Sequence, residues 1–428
     1  MGVEEQSVVG IDFGTTNSSI ALAGADGSVK FVEFPYRGGL TRSSRSVLYL
    51  QKKIGVSKPA SVWSGPEAIE RYLETDTFED EVQGRLIQSL KSYLASKSFT
   101  GTEIFGRRYR VEDLVAKMVG DLRKHASEAL GFDVTRAVVG RPVEFVNANA
   151  ESDNAFAEAR LRDSFLQAGF TDVRFALEPI AAAHTYAENI DREETVLIGD
   201  FGGGTTDFSL LRFSSSERTV LGTTGVGLAG DAFDAKIVHY LVSPALGSDS
   251  SARSMGKILP ALPAWVFTSL ERWHTLSFLR TRQVMEMLRA TRKRALEPEK
   301  IAALIAVVEH DLGYRLHQAV QRVKIELSSR CETEFVLETE AVSLREAVTR
   351  EQFEGWIAPE LARMEDSLEA LLTKTSTEAG QVDRVFLTGG TSLVPAVRRV
   401  FTSRFGEGRV VSGEAFTSVA QGLALMAR

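Results

Sequence analysis

Ile198-Gly199-Asp200-Phe201-Gly202-Gly203-Gly204-Thr205-Thr206-Asp207-Phe208-Ser209-Leu210-Leu211 sets an acid, three glycines, two hydroxyls and a second acid between two apolar runs. The run Thr195-Val196-Leu197-Ile198 leads into it. This pattern predicts a β-hairpin whose turn is stripped of side chains. Glycine admits positive φ and lets backbone N–H groups approach a ligand closely. Phosphate oxygens are the usual reason for such a nest. The carboxylates repel phosphate, but they can hold a hydrated divalent cation that binds it. A plain tight turn would have the same glycines.

A second stretch weighs against the plain turn. Gly10-Ile11-Asp12-Phe13-Gly14-Thr15-Thr16-Asn17-Ser18-Ser19-Ile20-Ala21-Leu22 repeats the layout, with Asp12 and Asp200 188 residues apart. An internal repeat is sought before any other reading. Two similar halves, each with a phosphate hairpin, imply a nucleotide clamped in a cleft between them.

Composition narrows the class. The chain has 428 residues, 43% hydrophobic and 25% charged, ordinary values for a globular protein of two or three domains. A net charge of −7 argues against nucleic acid as the main partner, which would need clustered Lys and Arg. Cys331 is the sole cysteine, so no disulfide framework or cysteine metal site exists, and a small buried thiol is expected. The N-terminus lacks the basic and apolar regions of a signal peptide, and no apolar run is long enough for a bilayer. The expectation is a cytoplasmic protein with no membrane partner.

The two hairpins, with segments further along, resemble the ATPase of the seventy-kilodalton heat-shock protein family, within the wider actin, sugar-kinase and heat-shock ATPase fold. The likeness runs from about Val8 to Ala427 and is weak near residues 243 to 315. It implies an actin-like α/β fold of two lobes, each with an RNase H-like inner part, around a nucleotide cleft. Lobe I would span 1–185 and lobe II 186–428, with a helical outer part at about 255–320. Chain crossings are expected near 140–185 and at the C-terminal helix.

The resemblance also assigns roles. Asp12, Asp200 and Asp207 would hold Mg²⁺ through water, with K⁺ as a further candidate cation. Gly14, Thr15, Thr16, Asn17, Gly202, Gly203, Gly204, Thr205 and Thr206 would cradle the phosphates of ATP or ADP. Lys91, in Ser89-Leu90-Lys91-Ser92-Tyr93-Leu94, would balance charge on the γ-phosphate. Glu178, ahead of Pro179 at a helix start, would order the attacking water. Gly230 and Asp231, in Gly-Asp-Ala-Phe-Asp before a helix at Ala235–Leu241, form a further phosphate loop that matches chaperone-type members better than sugar kinases. Gln321, Lys324, Ile325 and Ser328 fall on the segment that meets the adenosine, and Gly389, Gly390, Thr391 and Leu393 on the loop beside the nucleoside. Three of these depart from the family pattern. Gln321 replaces an acid, while Ile325 and Leu393 replace arginines, leaving an apolar slot for the adenine.

Element expectations follow the periodicity. Helices are expected at Glu81–Ala95, Val111–Leu130, Ala155–Ala168, Arg350–Thr373 and Ser418–Ala427, and strands at Arg136–Gly140 and Arg384–Thr388. Ser243–Ser254 reads as an exposed loop. Residues 263–329 read as helical, broken near Gly313, with Trp265, Leu270, Trp273, Leu276 and Leu279 as a buried stripe. No Gly-x-x-x-x-Gly-Lys-Ser/Thr loop occurs, so a P-loop ATPase is excluded.

The sequence reading is therefore a monomeric, Mg-dependent ATPase of chaperone type, acting with client proteins or co-chaperones. It would lack the peptide-binding domain, as the short bacterial chaperone-like members do. A metabolite kinase of the same fold, or a nucleotide-switched scaffold without turnover, are the alternatives.

Overall fold

A computed structural model describes residues 7–36, 39–56, 58–74, 82–148, 150–186, 193–213, 218–254, 256–271, 276, 279–412 and 417–428. The chain groups into two compact units: residues 1–230, 363–393 and 397–428 form one, and 231–362 with 394–396 the other.

The first unit contains two sheets of one topology. Val9–Phe13 pairs antiparallel with Asn17–Ala23, which pairs antiparallel with Val29–Phe31; on its other side lie Arg136–Arg141 and then Asp172–Leu177, both parallel. In the second sheet Glu194–Phe201, Thr206–Phe213 and Arg218–Val226 form the antiparallel half, and Arg384–Thr388 and Val410–Ser412 the parallel half. The duplication visible in two short motifs is thus a duplication of the whole strand order.

Register refines the repeat. Asp12 stands opposite Ser19 and Phe13 opposite Ser18, while Asp200 stands opposite Asp207 and Phe201 opposite Thr206. Both turns close alike, Gly14 N–H donating to the Asn17 carbonyl and Gly202 N–H to that of Thr205, each at 3.0 Å. The 188-residue offset therefore holds through the turns without a gap. Thr15-Thr16 correspond to Gly203-Gly204, not to Thr205-Thr206, and Asp207 corresponds to Ser19. The matching threonine pairs are two positions out of step, because turn closure and not hydroxyl identity sets the equivalence.

Strand alternation sorts the side chains. Val9, Ile11 and Phe13 enter one core with Val139, Leu161 and Phe165, leaving Gly10 and Asp12 on the opposite face. Val196 and Ile198 enter a second core with Ala181, Ala182, Ala183 and Leu423, and Asp200 shares their face. Two helices, Glu178–Tyr186 and Ser418–Met426, supply that second core. Their approach depends on glycine: a Cβ on Gly422 would lie 1.6 Å from the Ala181 carbonyl oxygen, and one on Gly10 would lie 2.2 Å from the Ala424 nitrogen. Asp12 and Asp200 thus sit on sheet faces that look toward this helix pair.

The second unit carries helices at Ala264–Glu271, Arg282–Arg292, Pro298–Glu309 and Gly313–Ser329, and a hairpin of Glu332–Glu338 with Ser343–Thr349. The break near Gly313 is where the pattern put it. No helix among the described residues is long and apolar enough to cross a membrane.

Several local expectations are corrected. Where a helix was expected at Glu81–Ala95, Val82–Gln88 is a strand paired with Val47–Lys53, and Leu90–Tyr93 is a 3₁₀ turn; Glu81 lies outside the described residues. Gly84 passes under Tyr49, where a Cβ would meet its hydroxyl at 2.2 Å, and Ser89 takes φ 55°, which ends regular structure. Ser243–Ser254 is no exposed loop: Ser243 and Ser250 are buried, and Ser251–Ser254 pairs with Lys257–Pro260. Trp265 is exposed, whereas Leu270, Leu276 and Leu279 are buried; Trp273 lies outside the described residues. Cys331 is exposed, at the step from a helix into a strand. The helix expected from Ala235 already starts at Gly230.

Candidate functional site

Five charged side chains of the first unit meet where the two hairpins end. Asp12 and Asp200 arrive at the C-terminal ends of equivalent strands. Asp207 stands across from Asp200, so both point to one face of the pair. Glu178 opens the helix Glu178–Tyr186, and Lys91 comes from the 3₁₀ turn. Lys91 Nζ donates to Glu178 Oε1 at 2.6 Å, with side-chain exposures of 7% and 8%. Close packing makes room for the pair, since a Cβ on Gly140 would lie 3.0 Å from Glu178 Cγ.

The charges do not balance, as four carboxylates face one ammonium. Burial, then the neighbouring Glu178, pushes Asp12 well above the usual carboxylate range. Burial, Glu178 and Asp207 do the same to Asp200. Burial and Glu178 lift Asp207 to about 7, although the Val143 and Glu144 amides and the Thr205 hydroxyl pull the other way. Val143 N–H donates to Asp207 Oδ1 at 2.8 Å. Burial pulls Lys91 down, but Glu178 and Asp12 outweigh it and hold the ammonium above its ordinary value. A divalent cation would relieve this excess, and carboxylate oxygens are the donors Mg²⁺ takes. Among the described residues no three acidic, histidine or cysteine side chains converge closely enough to ligate a metal directly.

The hairpin tips meet at the same place. Gly204 lies against Thr15 and Ser92: a Cβ there would be 3.1 Å from Thr15 Oγ1 and 3.6 Å from Ser92 Oγ. Thr15 is buried, and Asn17 Oδ1 accepts from Arg45 at 3.3 Å. Gly203 lies beside Gly204 in the second turn, and Thr16, in the first, accepts at its carbonyl from Ser46 N–H at 2.9 Å. Thr206 Oγ1 donates to the Leu228 carbonyl at 2.8 Å, so that hydroxyl ties the hairpin to the loop before Gly230. Gly230 N–H donates to the Gly202 carbonyl at 3.4 Å, and Asp231 follows it in the first helical turn.

The Gly389-Gly390-Thr391 loop also packs on the second hairpin. Gly389 has φ 84°, and a Cβ there would lie 2.1 Å from the Phe201 carbonyl oxygen. Thr391 Oγ1 donates to the Gly202 carbonyl at 3.0 Å. Leu393 follows, 54% exposed.

In the second unit, Gln321, Lys324, Ile325 and Ser328 fall on one face of the helix Gly313–Ser329. Ile325 is 67% exposed. Lys324 Nζ lies 2.7 Å from Asp234 Oδ1, and Ser328 Oγ donates to the Lys324 carbonyl at 3.0 Å.

The sequence did not point to the groups that hold these residues. Ser46 donates to the Gly14 carbonyl at 2.7 Å, and the Val143 amide, Gly140 and Asp234 have equal structural claims. Their roles depend on pairings between residues far apart in the chain.

A model of the Hsp70 protein family matches residues 8–250 and 305–428. The chaperone protein DnaK of Thermosipho melanesiensis is 26% identical over 416 residues, covering 95% of this chain and 56% of that protein. DnaK of Thermotoga maritima is 26% identical over 440 residues, covering 100% of this chain and 60% of its own length. DnaK of Halobacterium salinarum is 26% identical over 400 residues, covering 92% and 51%. The chain spans between about half and 60% of the length of these relatives.

Proposed function

This chain belongs to the Hsp70 protein family, and from that premise we propose that the charge cluster of its first unit binds the phosphates of ATP and hydrolyses the terminal one. The family is one of ATP-binding chaperones. The observation that carries the reading is the meeting of Asp12, Asp200, Asp207, Glu178 and Lys91 at the tips of two hairpins of identical topology.

In this proposal Gly14, Thr15, Thr16, Asn17, Gly202, Gly203, Gly204, Thr205 and Thr206 offer backbone amides and hydroxyls to the β- and γ-phosphates. The Lys91 ammonium, held in place by Glu178, faces the charge that builds on the transferred phosphoryl group. Glu178 orients the attacking water with the carboxylate oxygen not bonded to Lys91. Mg²⁺, when bound through water to Asp12, Asp200 and Asp207, would supply charge neutralisation at the phosphates. Gly230 and Asp231 extend the phosphate loop. Gln321, Lys324, Ile325 and Ser328 are proposed adenosine contacts, as are Gly389, Gly390, Thr391 and Leu393.

The division into lobes 1–185 and 186–428, with a helical outer part at about 255–320, belongs to the same proposal. So does action on client proteins with co-chaperones. The test is release of inorganic phosphate from ATP in Mg²⁺, compared with sugars or other metabolites as phosphoryl acceptors. Turnover with water alone supports the ATPase. Transfer to a small acceptor overturns it in favour of a kinase.

A further inference from the structure

We propose that Arg160 is a positioning residue: it holds the turn that carries Lys91, and so sets the rate of phosphoryl transfer without touching the nucleotide. The inference rests on the role proposed above for Lys91.

Lys91 sits on a short turn. The 3₁₀ segment Leu90–Tyr93 is four residues long and is entered through Ser89 at φ 55°. The next regular element starts only at Gly101. A turn this short leaves carbonyls at and beyond its end in need of donors. Leu94 N–H donates to the Lys91 carbonyl at 3.2 Å, which ties the residue after the turn to Lys91 itself.

Arg160 supplies the missing donors. It belongs to the helix Glu151–Gln167 and is 6% exposed. Its Nη1 donates to the carbonyls of Tyr93 and Leu94, each at 3.1 Å, and to that of Ser96 at 3.3 Å. Nε donates to Glu112 Oε1 at 2.7 Å and Nη2 to Oε2 at 3.4 Å. Glu112 lies in the first turn of the helix Val111–Leu130. Burial pushes its carboxyl up, but the Arg160 bonds outweigh burial and hold Glu112 below its ordinary value.

One edge of the guanidinium is thus fixed by a carboxylate, and the remaining nitrogen grips the Lys91 segment. Only a guanidinium offers five N–H donors in one plane for such a set. The contacts run without a gap from Glu112 through Arg160 and the buried Leu94 to Lys91, whose ammonium meets Glu178 at 2.6 Å. Without Arg160 the Leu94 carbonyl is stranded and the turn is free to shift. A displacement of about 1 Å at a group facing the reacting atoms can slow a reaction about 100-fold.

The experiment measures single-turnover phosphate release, ATP affinity and melting temperature for Arg160→Met with Glu112→Gln, which removes both charges of the pair together. Release should slow by a factor of about 10 to 100, with ATP affinity little changed. Arg160→Lys keeps the charge without the planar grip and should slow release by about threefold to tenfold, so the test survives a double variant that fails to fold. The NMR resonance of the Lys91 ammonium, assigned by its absence in Lys91→Met, should shift or broaden in each folded variant. Added to Lys91→Met, the Arg160 change should slow release no further. An arginine that only stabilises the fold would lower the melting temperature and leave both the rate and the ammonium resonance of folded protein as in wild type; that result overturns the proposal. So does an equal further slowing of Lys91→Met, which would mean that Arg160 acts through another group. The resonance needs no turnover, so an unchanged ammonium signal overturns the proposal even where wild type releases no phosphate. Absence of phosphate release from wild type is the separate result that overturns the function reading.

Discussion

Asp200 and Asp207 stand directly opposite each other on adjacent strands of the second hairpin, both buried, at 8% and 1% exposure. Burial and Glu178 push Asp207 to about 7, and Asp200 and Asp12 also lie well above the usual range. The native state therefore keeps protons that the unfolded chain releases near 3.8. For Asp207 the stability from this source is full below about pH 4 and is lost as pH rises to about 7. For Asp207 alone the ceiling is about 4 kcal/mol. Nucleotide-free protein should melt several degrees lower at pH 8 than at pH 5, and Asp207→Asn should flatten the difference. An equal slope in wild type and variant would show that Asp207 ionises normally.

The Lys91–Glu178 pair makes a paired prediction. Removing one partner of a buried ion pair leaves an uncompensated charge and costs about 3–5 kcal/mol. Lys91→Ala should therefore destabilise the fold as well as slow the chemical step by a factor on the order of 100 or more. The double change Lys91→Met with Glu178→Gln removes both charges, so denaturation should recover most of the stability while single-turnover phosphate release stays slow. Recovery of turnover along with stability would mean the pair is structural alone.

Asp12→Asn and Asp200→Asn separate binding from turnover. Each keeps the shape of the side chain and removes a charge from a crowded acidic site, so the fold should survive. Mg²⁺-dependent hydrolysis should be abolished, while nucleotide binding through the backbone amides of the glycine turns should persist in part. ATP turnover at the wild-type rate in both variants would refute the assignment of these acids.

Much of this was legible because strand and hairpin signals are local. The acids, glycines and apolar alternation at Asp12 and Asp200 place themselves, and Gly131 and Gly169 end their helices in the left-handed conformation, at φ 84° and 94°. Lys91 was found on a turn after a strand and not on a helix, because the pairing of Val82–Gln88 with Val47–Lys53 is long-range and overrides a helix-like run of side chains. The threonine repeat misled by two positions, since only the cross-strand register separates equivalent turn residues from similar ones. The bonds that hold Asp207 come from Val143 and Glu144, some 64 residues away, and no window of sequence contains both ends.

The helix pair beneath the acids can be tested through glycine. A Cβ at Gly422 would lie 1.6 Å from the Ala181 carbonyl oxygen, so Gly422→Ala must move one helix against the other. The expected loss is about 3 kcal/mol or more, at the upper end of overpacking. Gly355, inside the helix Arg350–Lys374, has nothing within 4 Å of its Cβ position, and Gly355→Ala should stabilise by about 0.5–1 kcal/mol through helix propensity. Urea denaturation of the two variants reads both signs. A Gly422→Ala variant as stable as wild type would mean the helices pack less closely.

The last prediction concerns the exposed face of the helix Gly313–Ser329. Ile325 is 67% exposed and shares that face with Gln321, Lys324 and Ser328, the proposed adenosine contacts. An aliphatic side chain gives a base only apolar contact and no hydrogen bond to a ring edge, so it separates adenine from guanine poorly. A guanidinium in its place can stack on the base and add roughly 0.5–2 kcal/mol as a cation–π contact. Wild-type protein should therefore bind ATP with a modest preference over GTP, and Ile325→Arg should tighten ATP by about twofold to thirtyfold. The exposed position makes the change harmless to the core, so a melting temperature close to wild type is the internal control. Calorimetric titration of ATP and GTP into both proteins decides the matter. No gain in the folded variant, or a wild type that already binds ATP tightly and excludes GTP, would place the base against other residues.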